Sequence, residues 1–287
     1  MEKDILSAIS RDSAGFSKGQ RQIAKFILEN YDKAAFMTAG KLGKAVGVSE
    51  STVVRFAAAL GYDGYPGMRR ALQDMIRNRL TSVQRIEVSK GMIDDQNVLG
   101  DVLASDMEKI QATLDTTDRD EFDRAVDAIL NAKNIYIVGM RSASALASFM
   151  GFYLNLIVEN VRLVGDMATS EIYEQILRIR EDDLFIGISY PRYSRRTFNA
   201  MKFAKSEGAR VIGITDGTAS PFVGIADINL FAKSDMVSFL DSLVAPLSLI
   251  NALIVAVGVR SSESLSETFK RLETIWTDYE VYEGSGD

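Results

Sequence analysis

The chain of 287 residues contains no cysteine and no histidine. The first absence removes disulfides and thiolate chemistry together. The second removes histidine-led triads and most histidine-ligated metal sites. No catalytic residue, metal or cofactor is therefore assigned, although carboxylate-only acid–base chemistry stays open. The opening "MEKDILSAIS" carries acidic residues and no long apolar core, so a secretory leader is not expected and the expected compartment is the cytoplasm. One uncharged run, "SLVAPLSLINALIVAVGV" over 242–259, approaches membrane-spanning length. Pro246, Ser248 and Asn251 lie within it, and a buried helix of an α/β domain is the better reading.

What is present is a globular chain long enough for two domains, with its charge unevenly shared. Residues 1–80 hold 13 Lys and Arg against 8 Asp and Glu, a net of +5. The remainder holds 20 against 31, a net of -11. A basic front on an acidic body suggests that the front touches a polyanion.

In that front, Ile23, Phe26 and Ile27 recur at helical spacing between Ser17 and Asn30. The stretch "TAGKLGKAVGVSESTVVRFAAALG" predicts a short helix over about 38–46, with Leu42 and Val46 one turn apart. Gly47 allows the left-handed backbone that ends it, Val48 plugs the turn, and Ser49 can cap the next helix. That second helix runs to about Leu60, with Val53, Phe56 or Ala57, and Leu60 facing inward, and Gly61 stops it. Helix, tight turn, helix is the pattern of a DNA-reading pair, although ordinary helical hairpins share it. Ser51, Thr52 and Arg55 would face the major groove, with Ser49 at the cap. Thr38, Lys41 and Lys44 are suited to positioning contacts with phosphate. Glu50 would repel phosphate, so it either accepts from cytosine or points aside. Beyond Gly61, an aromatic turn leads to a basic helix whose Arg69, Arg70, Arg77 and Arg79 either follow a duplex backbone or are solvated.

From about Thr81 to Leu99 the periodicity fades, which reads as a connector leading into helices near 100–114 and 118–131. After it, "NIYIVG", "VRLVG", "DDLFIGISY", "ARVIGITD" and "DINLFAK" are five short β-branched runs, most of them separated by helical stretches. Apolar strands interleaved with helices mean a parallel sheet buried on both faces. Ligands of such sheets sit beyond the carboxyl ends of the strands, here the 139–144, 189–197 and 215–220 turns. These turns are rich in hydroxyls and glycine. Ser189, Ser194, Arg192 and Arg195 gather in one of them and Arg141 in another, a set suited to a small anion such as a phosphorylated metabolite. Two alternatives are that these arginines pair with acids of a partner subunit or that they bind DNA. "VGMRSAS" lacks the three-glycine dinucleotide spacing, so NAD is not expected.

Residues 38–68 resemble the N-terminal helix-turn-helix of RpiR-type transcriptional regulators. There a phenylalanine follows the recognition-helix arginine and a "LGY/F-x-G-Y/F" turn follows the helix, here Arg55–Phe56 and Leu60–Tyr65. Residues 134–233 resemble that family's second part, the sugar isomerase (SIS) domain, which binds phosphosugars. The resemblance implies a homodimer or homotetramer on double-stranded operator DNA, with a phosphosugar or related anion altering that binding. It also implies ligand contacts from Ser142, Ser144, Ser189 and Ser194. Two turns depart from the family pattern. "GxGxS" is here "GMRSA", with Arg141 for the second glycine and Ala143 for the serine. "SxSGxT" is "SYPRYS", with Pro191 and Arg192 for Ser-Gly and Ser194 for Thr.

The expected architecture is an all-α helix-turn-helix domain joined to an α/β domain with a five-stranded parallel sheet, a SIS-like α-β-α sandwich. The expected division is a DNA-binding domain over 1–80, a linker over 81–105, an effector domain over 106–260, and a C-terminal helix and tail over 261–287. The expected function is a DNA-binding regulator controlled by an anionic metabolite, with an operator in the form of an inverted repeat and no membrane partner. A sugar-phosphate isomerase or epimerase is the alternative, and Glu171 or Glu174 would have to supply its base.

Overall fold

The computed structural model describes residues 5–77, 81–89, 96–165, 169–235 and 240–282. The chain forms two compact units: 1–102 with 236–241, and 103–235 with 242–287.

The front unit is helical. Its elements are α1 (Ile5–Asp12), α2 (Lys18–Glu29), α3 (Tyr31–Ala34), α4 (Ala39–Val46), α5 (Glu50–Ala59), α6 (Gly64–Arg77) and α7 (Ser82–Ser89). Ser17 and Gln20 cap α2 reciprocally, each side chain accepting from the other's backbone N–H. Ile9, Ile23, Ile27, Leu42, Val53, Phe56, Met68, Leu72 and Ile76 close one core with no exposure. Leu60 is only half-buried at its edge. The aromatic turn expected after Gly61 is short: Tyr65 already lies in the first turn of α6, buried, its hydroxyl donating to the Met37 carbonyl at 2.9 Å. Burial pushes the phenol up to about 12, against a smaller opposing pull from Arg69.

The stretch read as a connector contains the helix α7. Thr81 and Gln84 cap it, with the Thr81 N–H donating to Oε1 of Gln84 at 2.9 Å and the Gln84 N–H to Oγ1 of Thr81 at 3.3 Å. Arg85 of α7 is buried and donates to Asp241 at 2.8 Å within the same unit.

The division between the units falls within α8 (Val98–Thr116), and α9 (Arg119–Asn131) follows. The alternation expected from the apolar runs then appears: β1 (Ile135–Gly139), α10 (Ala143–Ile157), β2 (Val161–Val164), α11 (Thr169–Ile176), β3 (Leu184–Ile188), α12 (Arg195–Ser206), β4 (Arg210–Thr215) and β5 (Ile228–Phe231). Only a 3₁₀ turn, Pro221–Gly224, separates the last two strands. α13 (Val244–Arg260) and α14 (Ser262–Asp278) complete the chain. The sheet is parallel throughout, ordered β2-β1-β3-β4-β5. Alternate strand residues feed opposite layers: Ile135, Ile137, Ile186 and Ile188 pack with α9, α10 and α13. Tyr136, Val138 and Phe185 pack with α11 and α12. The uncharged run at 242–259 is the α13 face of that first layer, with Leu249, Ile250, Leu253 and Val257 buried. Among the described residues no single helix is long and apolar enough to cross a membrane.

Candidate functional site

The helix-turn-helix is built as its sequence demands. Gly47 takes φ 78°, a conformation that costs a residue with a Cβ about 1–2 kcal/mol. The Val48 N–H donates to the Gly43 carbonyl at 2.9 Å, and a Cβ on Gly43 would lie 2.8 Å from the Val48 carbonyl oxygen. Gly43 therefore sets how closely α4 approaches the turn, a packing requirement that helical periodicity alone does not mark. Thr38 and Ser49 are the N-caps, accepting from the N–H groups of Lys41 and Thr52 at 3.2 and 3.3 Å.

Thr38, Lys41, Lys44, Ser49, Ser51 and Arg55 are all exposed. The Arg55 Nε donates to the Ser51 carbonyl at 3.3 Å, which places the guanidinium along the first turn of α5. Thr52 is the least available of the set. It is half-buried, its methyl faces Gly19 of α2, and its hydroxyl meets Ser49 Oγ at 2.8 Å. Glu50 points aside: its carboxylate lies over Gly40, 3.2 Å from where a Cβ would stand. Arg69 is half-buried and Arg70 exposed, while the Arg77 side chain and Arg79 lie outside the described residues.

In the second unit, β1 and β3 are neighbours, with Gly139 opposite Ile188. The chain leaves β1 into α10 on one face and β3 into α12 on the other. A crevice opens between two such diverging connections. A Cβ on Gly139 would stand 2.4 Å from the Ala143 carbonyl oxygen, so only glycine lets α10 begin this close to the strand end. Arg141 and Ser142 are exposed at the rim, and Ser142 makes no capping bond. Ser144 turns away: its hydroxyl donates to the Arg141 carbonyl at 2.5 Å.

On the β3 side, Ser189 is buried and its Oγ accepts from the Ser194 N–H at 3.0 Å. Ser194 caps α12, its Oγ accepting from the Thr197 N–H at 3.2 Å. Each hydroxyl is thus fixed by a backbone donor, and its own hydrogen can point elsewhere. Arg192 and Arg195 are exposed. Arg141 and Arg192 have φ of 57° and 65°, so both arginines sit in left-handed backbone that favours glycine. Sequence reasoning missed two further groups. Tyr190 Oη and Thr197 Oγ1 are buried with no hydrogen-bond partner among the described residues. Burial, reinforced by Asp216, holds the Tyr190 phenol well above its ordinary range, so it remains a donor.

A cavity of about 280 Å³ lies at the other end of the sheet, lined by Arg124, Asp127, Arg210, Asp227 and Ile228. Its charges largely cancel: Asp127 binds Arg260 at 2.6 Å, and Asp227 is paired with Lys205. The strand tips, with exposed Arg141, Arg192 and Arg195 and the buried hydroxyls of Tyr190 and Thr197, are the candidate anion site. Of the two carboxylates that could serve an isomerase, Glu171 is half-buried and Glu174 exposed on α11.

Two family profiles match the chain: the helix-turn-helix domain of the rpiR family over residues 3–79, and the SIS domain over 128–256. An uncharacterised HTH-type transcriptional regulator of Caldanaerobacter subterraneus subsp. tengcongensis is 25% identical over 275 residues, 92% of this chain and 96% of that protein. The HTH-type transcriptional regulator HexR of Pseudomonas aeruginosa is 24% identical over 281 residues, 94% and 95% of the two chains. Among solved structures, the sugar isomerase domain of an RpiR transcription factor from Sphaerobacter thermophilus is similar, with 29% identity and a TM-score of 0.57. The match covers 60% of this chain and 96% of that one. Vibrio vulnificus NanR, solved with ManNAc-6P, shares the fold over 96% of this chain and 98% of its own, with a TM-score of 0.57 at 21% identity. With an rpiR-type helix-turn-helix in front of a SIS sandwich, the chain belongs to the RpiR family of transcriptional regulators.

Proposed function

We propose that this regulator binds operator DNA through α4 and α5 and that a phosphorylated sugar or related anionic metabolite, held at the tips of β1 and β3, sets its affinity for that DNA. The observation that carries the reading is the pairing of β1 with β3, whose following loops expose Arg141, Arg192 and Arg195 and fix the hydroxyls of Ser189 and Ser194, in a chain that also presents Ser51 and Arg55. The ManNAc-6P bound by NanR on the same fold supports a phosphosugar as the ligand class. The metabolite acts by binding the DNA-competent and DNA-incompetent states unequally. Two copies of the chain place two recognition helices on the duplex, so the operator is an inverted repeat. The metabolite is sensed and not converted. Supporting this, relatives matched over more than nine-tenths of the chain are named transcriptional regulators, and an isomerase has no use for the helix-turn-helix in front.

The test uses DNA selected from a random pool by the purified chain. Arg55→Ala weakens binding by about 1–3 kcal/mol if it reads a base, and leaves metabolite binding unchanged. The double substitution Arg192→Ala and Arg195→Ala keeps DNA affinity and its salt dependence while losing the response to metabolite. A flattened salt dependence in that variant would assign these arginines to DNA instead. Turnover of sugar phosphates by the purified chain would favour the isomerase.

A further inference from the structure

The helix α8 buries its polar side. The residues it hides are Lys109 and Thr113, while Leu103, Met107, Ile110 and Leu114 are exposed. Three of these, Leu103, Met107 and Leu114, are 54%, 66% and 60% exposed. A surface helix ordinarily turns its apolar stripe to the core and its charges to water. Here polar bonds hold the inward side. The Lys233 N–H donates to Thr113 Oγ1 at 2.9 Å, and Ser242 Oγ donates to Asp106 at 2.6 Å. Lys109 Nζ donates to Ser105 Oγ at 2.6 Å and lies 3.8 Å from Asp106. All of these residues belong to the second unit, whose own packing thus fixes the helix with its apolar stripe outward.

The four exposed side chains follow one another by four, three and four residues, the stepping of a coiled-coil seam. That spacing reads the same in both directions. A two-fold axis between Met107 and Ile110 therefore sets Leu103 against Leu114, and Met107 against Ile110, of a second copy. Antiparallel helices also oppose their dipoles. Beside the seam stand Ala104 and Gln111, exposed and uncharged, while Asp101, Glu108 and Asp115 lie more than a quarter-turn from it. Asp106, on its other side, is engaged by Ser242 and Lys109. A second copy of this acidic chain thus meets no uncompensated like charge along the seam. Two such helices would cover on the order of 1,000 Å² in all, enough for a specific contact.

We infer that α8 is an interface between two copies of this chain, the helices packed antiparallel through Leu103, Met107, Ile110 and Leu114. The inference rests on the proposed function only for the number of copies on the operator, and the effector site plays no part in it.

Because the chain has no cysteine, engineered thiols test the seam directly. The full chain carrying both Leu103→Cys and Leu114→Cys is oxidised and run on a denaturing gel beside each single variant. Within one helix the two positions lie about 16 Å apart, too far for a disulfide. The double variant should run as a covalent dimer, and neither single variant should. Sedimentation equilibrium gives a second reading on chains without thiols. Met107→Glu should raise the dissociation constant of the assembly about ten-fold or more, because it sets an unpaired charge in the seam. Met107→Leu, a volume-conserving swap, should stay within about three-fold of wild type. Met107 is exposed, so both variants fold, and an unchanged far-UV circular dichroism spectrum verifies this. Cross-linked single variants, a double variant that fails to cross-link, or an assembly that Met107→Glu leaves intact overturns the inference while two-copy operator binding stands. A wild-type chain that is a monomer both in solution and on its selected DNA overturns both.

Discussion

The two units treat left-handed backbone in opposite ways. In the front unit every described residue with positive φ is a glycine: Gly47, Gly61 and Gly64. Among the described residues of the second unit Arg141, Asn160, Arg192 and Glu280 take that conformation, as does Gly208. The front unit presents a generic shape, helix against helix, and each local choice agrees with the fold. The second unit breaks the local rule at Arg141 and Arg192, which follow β1 and β3, and again at Glu280 after α14. Departures from local preference often mark functional sites, which is why the two arginines enter the proposed one.

The contrast can be broken by exchanging glycines. The largest effect is expected at Gly43→Ala, whose Cβ would meet the Val48 carbonyl oxygen at 2.8 Å. Overpacking against backbone should cost about 1–3 kcal/mol, read as a lower urea midpoint together with weakened operator binding. An unchanged midpoint would show that the turn yields freely. Gly47→Ala should lose about 1 kcal/mol, because φ 78° disfavours a Cβ. Arg141→Gly reverses the sign, gaining up to about 1 kcal/mol once the entropy of the added glycine is set against the strain relieved. If both substitutions destabilised equally, Arg141 would be held by contacts and not by function.

A smaller effect concerns pH. The folded phenol of Tyr65 titrates at about 12 against an ordinary 10, so the neutral form is favoured on folding. Its contribution is complete below about pH 10 and is lost as pH rises towards 12. Between about pH 9 and about pH 11 the wild type should lose roughly 1–2 kcal/mol more than Tyr65→Phe in urea titrations. Parallel losses in the two proteins would remove Tyr65 as the cause.

Much of this architecture was legible in the chain. Five β-branched runs mark β1 to β5, because a strand buried on both faces admits little else. Gly47 and Ser49 announce the turn of the helix-turn-helix through chemistry confined to neighbouring residues. The α7 helix was hidden by its polar sequence, although Thr81 and Gln84 stand at capping-box spacing. The burial of Arg85 could not be read, since Asp241 lies 156 residues further on. At the crevice, the sequence names the serines and arginines but conceals their geometry. Nothing in the letter R reports a positive φ, and the hydroxyls of Tyr190 and Thr197, without a partner among the described residues, are buried only once β3 and α12 have packed.

The most direct measurement is the affinity of the full chain for its selected DNA, by fluorescence anisotropy, as phosphorylated sugars and related anionic metabolites are added. The dissociation constant should change about five-fold or more with at least one of them, the lower end of ordinary coupling, and by under two-fold in the Arg192→Ala, Arg195→Ala double variant. A ligand that binds the wild-type chain yet leaves its DNA affinity unmoved would contradict the account.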